Sequence, residues 1–358
     1  MRENLKALFA QCGSIQWDRA LAEAEDLREI RMRVGQPLLV LRGSGEYYLD
    51  EQGRLTGSLR DAYRVGQQTL DQFVMHLCHD SPYAFAESFR QGFFTVPGGH
   101  RVGIAGQVVT EENGSVRTIK HVSSINIRIA HQVPAAADGV LPCLYRHGML
   151  QNVLLVSPPG VGKTTLLREL VRNISNGNAW GAGMQVGVVD ERSELAGSYL
   201  GNPQNDLGCR TDVLDGCPKA AGMMMLLRSM SPQVLAVDEI GSPADLRAVF
   251  EASVCGCKVI ATAHGEGLSS VAERFGGSAG LGCFDLIVVL ARKEGQPCLK
   301  ALYQRRYDIG QRQTQAVMQG EEAYACIGGD DDLLRVSGTG YMVSEPFYRQ
   351  DQRTTQSA

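Results

Sequence analysis

Between residues 157 and 165 the chain reads Ser157, Pro158, Pro159, Gly160, Val161, Gly162, Lys163, Thr164, Thr165. Glycines at 160 and 162 let backbone N–H groups turn inward around an anion, because glycine takes φ > 0 without a Cβ penalty. Lys163 then reaches the terminal phosphates of a nucleotide, the Thr164 hydroxyl is placed for Mg2+, and a helix beginning there points its positive end at the same charge. The usual pattern, G-x-x-x-x-G-K-S/T, opens on glycine where this chain has Ser157. Serine is small enough for the same loop. All nine residues are therefore candidate phosphate ligands.

A second constellation begins at Val234, where four apolar residues end in Asp238 and Glu239. A buried strand explains the apolar run but not the acids, which are costly in apolar surroundings unless ligated or paired. Asp238 suits Mg2+ held through water, and Glu239 suits the polarisation of an attacking water. Another apolar run, at Val188 and Val189, ends in Asp190 and Glu191, and the stretch Lys258 to His264 ends in polar residues. Thr262 and His264 fall where ligands gather in wound α/β sheets, at the carboxyl ends of strands. A strand between the two phosphate motifs marks the P-loop branch that activates water with a glutamate, and argues against GTPases and simple kinases.

Stepwise periodicity gives the elements that must carry these residues. Residues 1 to 30 show helical spacing, followed by strands at Glu29 to Val34 and Leu38 to Leu41, helices at Thr69 to Cys78 and Ala84 to Gln91, and a strand-rich stretch to Ala130. A small-residue, proline-containing stretch from Val133 to Gly139 reads as a domain boundary. Beyond it strands alternate with helices, which predicts a parallel sheet with strands at 152–156, 185–189, 234–237, 258–261 and 285–290. The expected organisation is an α+β domain at 1–133, an α/β P-loop domain at 138–310 and a flexible tail at 311–358.

Composition excludes several classes. The chain has 358 residues, 44% hydrophobic, with mean hydropathy −0.13, and no run of about 18 apolar residues for a membrane span. Its first ten residues lack the apolar core of a signal peptide, so a cytoplasmic location is expected. Ten cysteines are scattered, with Cys255 and Cys257 the only close pair, and read as reduced core thiols. Met223 to Met225 read as core filling. Net charge is −4, with four basic and seven acidic residues in 311–358, and no basic stripe marks a nucleic-acid footprint.

The runs Val189 to Glu194, Pro203 to Asp215, Gly222 to Pro232 and Val237 to Gly241 resemble the stage III sporulation AA family, and the likeness extends from about Leu27 to Ile309. That family is similar to the ATPases of type II and type IV secretion and pilus systems. The resemblance implies a RecA-like ATPase domain with ATP and Mg2+, a homo-oligomeric, hexameric ring, and action on the mother-cell side as the motor of membrane-embedded sporulation channel proteins. It places Asp190 and Glu191 in an acidic box, Thr262 and His264 in a histidine box, and Arg101 and Arg128 where arginines reach a neighbouring subunit. Arg192, Arg210 and Arg228 compete for that last role. Asp238 stands where secretion ATPases have glycine and Gly241 near their arginine, so either Glu239 or Glu191 is the base. Two other classes compete with a motor: a nucleic-acid-associated P-loop ATPase, and a nucleotide-responsive scaffold with little turnover.

Overall fold

The structure, a computed structural model, describes residues 2–9, 12, 15–21, 26–43, 45–78, 85–293, 296–305, 324–328, 334–337 and 340–341. It divides into two compact units, Met1–His131 with Gly197–Asn205, and Gln132–Ala196 with Asp206–Ala358. The loop 197–205 thus interrupts the second unit in sequence and packs with the first.

In the first unit, helices α1 (Arg2–Phe9), α2 (Trp17–Ala20), α3 (Gln67–Leu77) and α4 (Ala86–Gln91) accompany seven strands. These are β1 (Leu27–Arg33), β2 (Leu39–Arg42), β3 (Gly45–Leu49), β4 (Leu55–Thr56), β5 (Phe93–Val96), β6 (His100–Thr110) and β7 (Val116–Arg128). They form one sheet in the order β4-β3-β2-β1-β7-β6-β5. Alternation in β1 sends Ile30 and Met32 fully inward and puts Arg31 and Arg33 on the other face. Phe9 stacks on Trp17 and Phe73 at centroid distances of 4.0 and 5.4 Å, joining the helices to the buried sheet face. The helix expected over 1–30 is corrected: Leu27 and Arg28 already belong to β1, with Leu27 opposite Arg42. The helical spacing of Leu21 and Leu27 arose from two separate elements facing one core; Ala24, which shared that spacing, lies outside the described residues.

The second unit opens with a 3-10 turn at Leu141–Leu144 and a small hairpin, β8 (Tyr145–Arg146) and β9 (Met149–Leu150). The chain then builds a wound sheet from β10 (Val153–Ser157), α5 (Lys163–Asn176), β11 (Val186–Asp190), β12 (Thr211–Asp215), α6 (Lys219–Ser229) and β13 (Val234–Val237). It continues through α7 (Pro243–Val254), β14 (Lys258–His264), α8 (Leu268–Arg274), α9 (Ser278–Leu281), β15 (Leu286–Lys293) and β16 (Gln296–Arg305). Strand order is β12-β11-β13-β14-β10-β15-β16, parallel from β12 to β15 and closed by antiparallel β16. Strands covered on both faces read as continuous apolar runs, and every residue of β10, β11 and β13 is buried. Helix α5 buries Leu166, Leu167, Leu170, Val171 and Ile174 at helical spacing.

Three further expectations are corrected. The strand lying in space between the phosphate-loop strand β10 and the acid-tipped β13 is β14, whereas β11 intervenes only in sequence. Core filling holds for Met223, which is fully buried, but Met225 is 53% exposed, because one helix cannot turn three consecutive side chains inward. The presumed flexible tail carries β17 (Tyr324–Gly328), β18 (Leu334–Ser337) and β19 (Gly340–Tyr341), with β17 and β18 both pairing β16. An antiparallel edge strand recruits such short segments; the remainder of 311–358 lies outside the described residues. Nine cysteines, Cys326 not among them, are free thiols, with Cys12, Cys78, Cys257 and Cys298 buried but Cys209 and Cys255 exposed.

Candidate nucleotide-binding site

The carboxyl ends of β10, β11, β13 and β14 share one edge of the second unit's sheet. Strand β10 delivers the chain to the loop 158–162, where Gly160 has φ +74° and Gly162 φ +114°. A Cβ added at Gly160 would meet nothing within 4 Å, so the loop is an open cradle, and only its backbone angles demand glycine. Val161 tucks into the core while Pro159 and Gly160 are exposed. Arg292, on β15, donates to the Gly160 carbonyl at 2.5 Å and ties the loop to the sheet.

Lys163, the first residue of α5, is 5% exposed. Its ammonium, with three protons to share, lies within hydrogen-bond distance of Ser157 O at 2.9 Å, Ser157 Oγ at 3.1 Å, Pro158 O at 3.2 Å and His264 Nδ1 at 3.1 Å. Burial holds its pKa below the usual lysine value, opposed by the charges of Asp238 and Glu239. With the ammonium donating to Nδ1, the imidazole carries its proton on Nε2, which donates to Glu239 Oε1 at 2.9 Å. A continuous chain, Lys163 to His264 to Glu239, therefore spans α5, β14 and the end of β13.

Beside it, Thr164 Oγ1 donates to Asp238 Oδ2 at 2.7 Å. Thr262, fully buried, donates to Asp238 Oδ1 and accepts the backbone N–H of Glu239 at 2.7 Å. These are hard oxygen donors of the kind Mg2+ selects, and Mg2+ characteristically takes only one or two protein oxygens when it also binds phosphates. Among the described residues no group of three His, Cys, Asp or Glu side chains is arranged to hold a metal by itself. The residues present fit Mg2+ at Thr164 and Asp238.

Glu191 is set differently. It pairs with Lys219 and shares with Glu239 the wall of a small cavity also lined by Asp190, Arg192, Glu194 and Asp238. Asp190 is 2% exposed and accepts the backbone N–H groups of Glu194 at 2.9 Å and Ala196 at 2.8 Å. Burial pushes its pKa up to about 6, against those two hydrogen bonds.

Arg101 and Arg128 lie in the first unit, directly opposite each other across β6 and β7, with the Arg101 guanidinium 3.8 Å from the Phe93 ring centroid. Of their competitors, Arg210 is exposed and donates to Ser175 O at 3.0 Å, Arg192 pairs with Glu239, and Arg228 is exposed on α6. Pro158 and Thr165 border the loop, half-buried. Sequence reasoning missed Arg292, which approaches from 132 residues away, and Arg274 on α8. A Cβ at Gly241 would lie 2.5 Å from Arg274 Nη2, so a guanidinium occupies the space beside the position where an arginine was expected.

A wound parallel sheet in this strand order, a glycine loop feeding Lys163 and Thr164, and an acid-tipped neighbouring strand define a P-loop protein of the RecA-like α/β class. Two solved structures share the fold. The ATPase DotB of Yersinia pseudotuberculosis is 16% identical with a TM-score of 0.52, covering 83% of this chain and 82% of that one. The pilus retraction motor PilT with bound ADP is also 16% identical at 0.52, covering 80% and 81%. The chain belongs to the family described as sporulation stage III, protein AA, which matches residues 2–309. Stage III sporulation protein AA of Bacillus subtilis (strain 168) is 40% identical over 76% of this chain and 82% of its own. The uncharacterized protein ycf45 of Porphyra purpurea is 30% identical over 34% and 21%.

Proposed function

We propose that this protein binds ATP with Mg2+ and hydrolyses it as the motor of a membrane-associated assembly in sporulation. The observation that carries the reading is the chain from Lys163 through His264 to Glu239 beside the Thr164–Asp238 pair. Lys163 and the N–H groups of the loop 157–165 hold the phosphates, and Thr164 and Asp238 hold Mg2+, which offsets charge between the phosphoryl oxygens. Glu239 accepts the proton of an attacking water, with His264 orienting its carboxylate. Glu239 is preferred to Glu191 because it follows Asp238 at the end of β13 and is reached from Lys163 through His264.

Membership of the sporulation family supports the cellular setting, and the fold shared with the ATPase DotB and the pilus retraction motor PilT supports a nucleotide-driven motor. In that reading the protein works as a hexamer on the mother-cell side, contacting membrane-embedded channel proteins, with Arg101 and Arg128 completing the site of a neighbouring subunit. Among the described residues no helix is long and apolar enough to cross a membrane. The test is phosphate release by the purified full chain, alone and with cytosolic parts of the membrane complex, with a nucleic-acid control. No release above that of Lys163→Ala under any condition removes the hydrolytic reading.

A further inference from the structure

The helices of the first unit share a core with one face of its sheet, through Ile30, Met32, Val102, Ile125 and Ile127. The other face carries a different chemistry. Pairing register sets two rows of side chains across β1, β7 and β6 on that face: Arg31, Asn126 and Gly103 in one, Arg33, Ser124 and Ala105 in the next. Strand β1 thus supplies two guanidinium groups, β7 an amide and a hydroxyl, and β6 almost no bulk. The rows enclose a cavity of about 230 Å³ whose lining includes all six residues and no acidic one.

Three features separate this cavity from an ordinary solvated sheet face. Asn126 Oδ1 is buried and has no hydrogen-bond partner among the described residues, where buried polar atoms are normally satisfied. The two ends of an amide have nearly the same shape, so a half-turn of the side chain presents Nδ2–H to the same space. Gly103 leaves the floor open: a Cβ there would meet only the Asn126 carbonyl oxygen, at 3.8 Å, so crowding does not demand glycine. The charge is also unevenly used. Arg31 pairs with Glu29 through Nε at 2.8 Å and Nη2 at 2.7 Å, whereas the exposed Arg33 side chain has no hydrogen bond or ion pair among the described residues.

We propose that this cavity is a phosphate-binding site, separate from the glycine loop, that takes inorganic phosphate or the phosphate group of a small monoester. The Arg33 guanidinium offers a fork of N–H donors matched to two phosphate oxygens. The Ser124 hydroxyl and the Asn126 amide add neutral donors from the neighbouring strand. Arg31 contributes charge from a side chain that Glu29 holds in place. Donors from three side chains in two rows suit a tetrahedral oxyanion better than a planar carboxylate, which one guanidinium fork already satisfies. A water occupies about 30 Å³ of liquid, so the cavity also has room for the group esterified to the phosphate. Arg101 and Arg128 form the next pair along the same face of β6 and β7, and the site uses neither. It depends on no assignment of a base and on no hydrolysis.

The experiment is calorimetric titration of inorganic phosphate, and separately of AMP, into the full-length chain carrying Lys163→Ala, at ionic strength held constant with chloride. That background disables the glycine loop, so one saturable event per chain is expected from the second site alone. Adding Arg33→Ala is expected to weaken it about 10- to 100-fold, the worth of a charge-assisted hydrogen bond. Asn126→Asp keeps the shape, adds a negative charge and is expected to abolish binding, and Gly103→Val, which fills the floor, to weaken it. Melting curves establish that each variant is folded, and the near-isosteric Asn126→Asp decides the matter if a bulkier change unfolds the unit. Binding of phosphate alone makes the ligand the free anion, and AMP binding at least as tightly makes it an ester; both support the site. No saturable event in Lys163→Ala overturns it, as does an affinity that Arg33→Ala and Asn126→Asp leave unchanged.

Discussion

Thr262 connects more of the site than its size implies. Its hydroxyl satisfies the N–H of Glu239 and one oxygen of Asp238 at once, from a position with no exposure. Thr262→Val keeps the volume but strands both partners, and an unsatisfied buried group costs about 1–3 kcal/mol. A drop of that size in urea unfolding, with turnover reduced further than ATP affinity and both restored by Thr262→Ser, is expected; unchanged turnover in the valine variant contradicts the positioning role. Asp190 gives a second test, because burial pushes its pKa up to about 6. The folded state then binds this proton more tightly than the unfolded state, so the contribution of Asp190 to stability falls as pH rises from about 4 to about 6. Comparing the pH dependence of unfolding with that of Asp190→Asn should show this slope vanish; an identical slope in both removes the assignment. Lys163, Thr164, Asp238 and Glu239 stood out as candidates in the sequence because phosphate chemistry fixes their spacing, and the structure brings them together. Ser157 was legible only as a departure, and its hydroxyl proves to be an acceptor for Lys163 at 3.1 Å. Arg292 was invisible, since nothing in the residues around it announces that it meets Gly160.

Strands and helices were readable where one periodicity dominated. The buried runs of β10, β11, β13, β14 and β15 stand within a few residues of their expected positions, as does α3. Elements with mixed patterns were missed: β12 has all five residues only half-buried, and β16 is an antiparallel closing strand that alternation with helices does not forecast. The beginning of β6 carries a titrating group of the opposite sign to Asp190. His100 is fully buried, accepts the N–H of Ala130 on Nδ1 at 3.0 Å, and burial lowers its pKa to about 4. The neutral imidazole favours the folded state, so this stability is present above the unfolded histidine value of about 6.5 and is lost as pH falls toward 4, about 3 kcal/mol in all. Urea unfolding of the first unit's tryptophan, Trp17, against pH should show that loss, and His100→Gln should flatten it. The pairing of β17 and β18 with β16 also changes what truncation does. Removing 311–358 exposes the backbone groups of β16, so a melting temperature lower by a few degrees and concentration-dependent aggregation are expected. A truncated chain as stable and monodisperse as the parent would show that these pairings contribute nothing.

On the scale of the whole molecule, the two-part organisation was visible in the composition change near 133–139, while the return of Gly197–Asn205 to the first unit was not. That loop follows directly on the turn capped by Asp190, and its neighbours in sequence are all second-unit residues, so no local signal distinguishes it. Assembly through Arg101 and Arg128 predicts that Arg128→Ala binds ATP normally but turns over slowly, and that mixing it with Lys163→Ala recovers part of the activity at shared interfaces. Turnover per chain should rise with protein concentration; full activity in a monomeric preparation would rule out the shared site. The proposed function depends most on separating phosphate binding from water activation, which one paired measurement does directly. Labelled-ATP affinity and single-turnover hydrolysis are measured together for the wild type, Lys163→Ala and Glu239→Gln. Expected are lost binding in Lys163→Ala, and in Glu239→Gln near-normal binding with hydrolysis slowed about 10²- to 10⁴-fold. Hydrolysis by Glu239→Gln at the wild-type rate would contradict the assignment of the base and return Glu191 to that role.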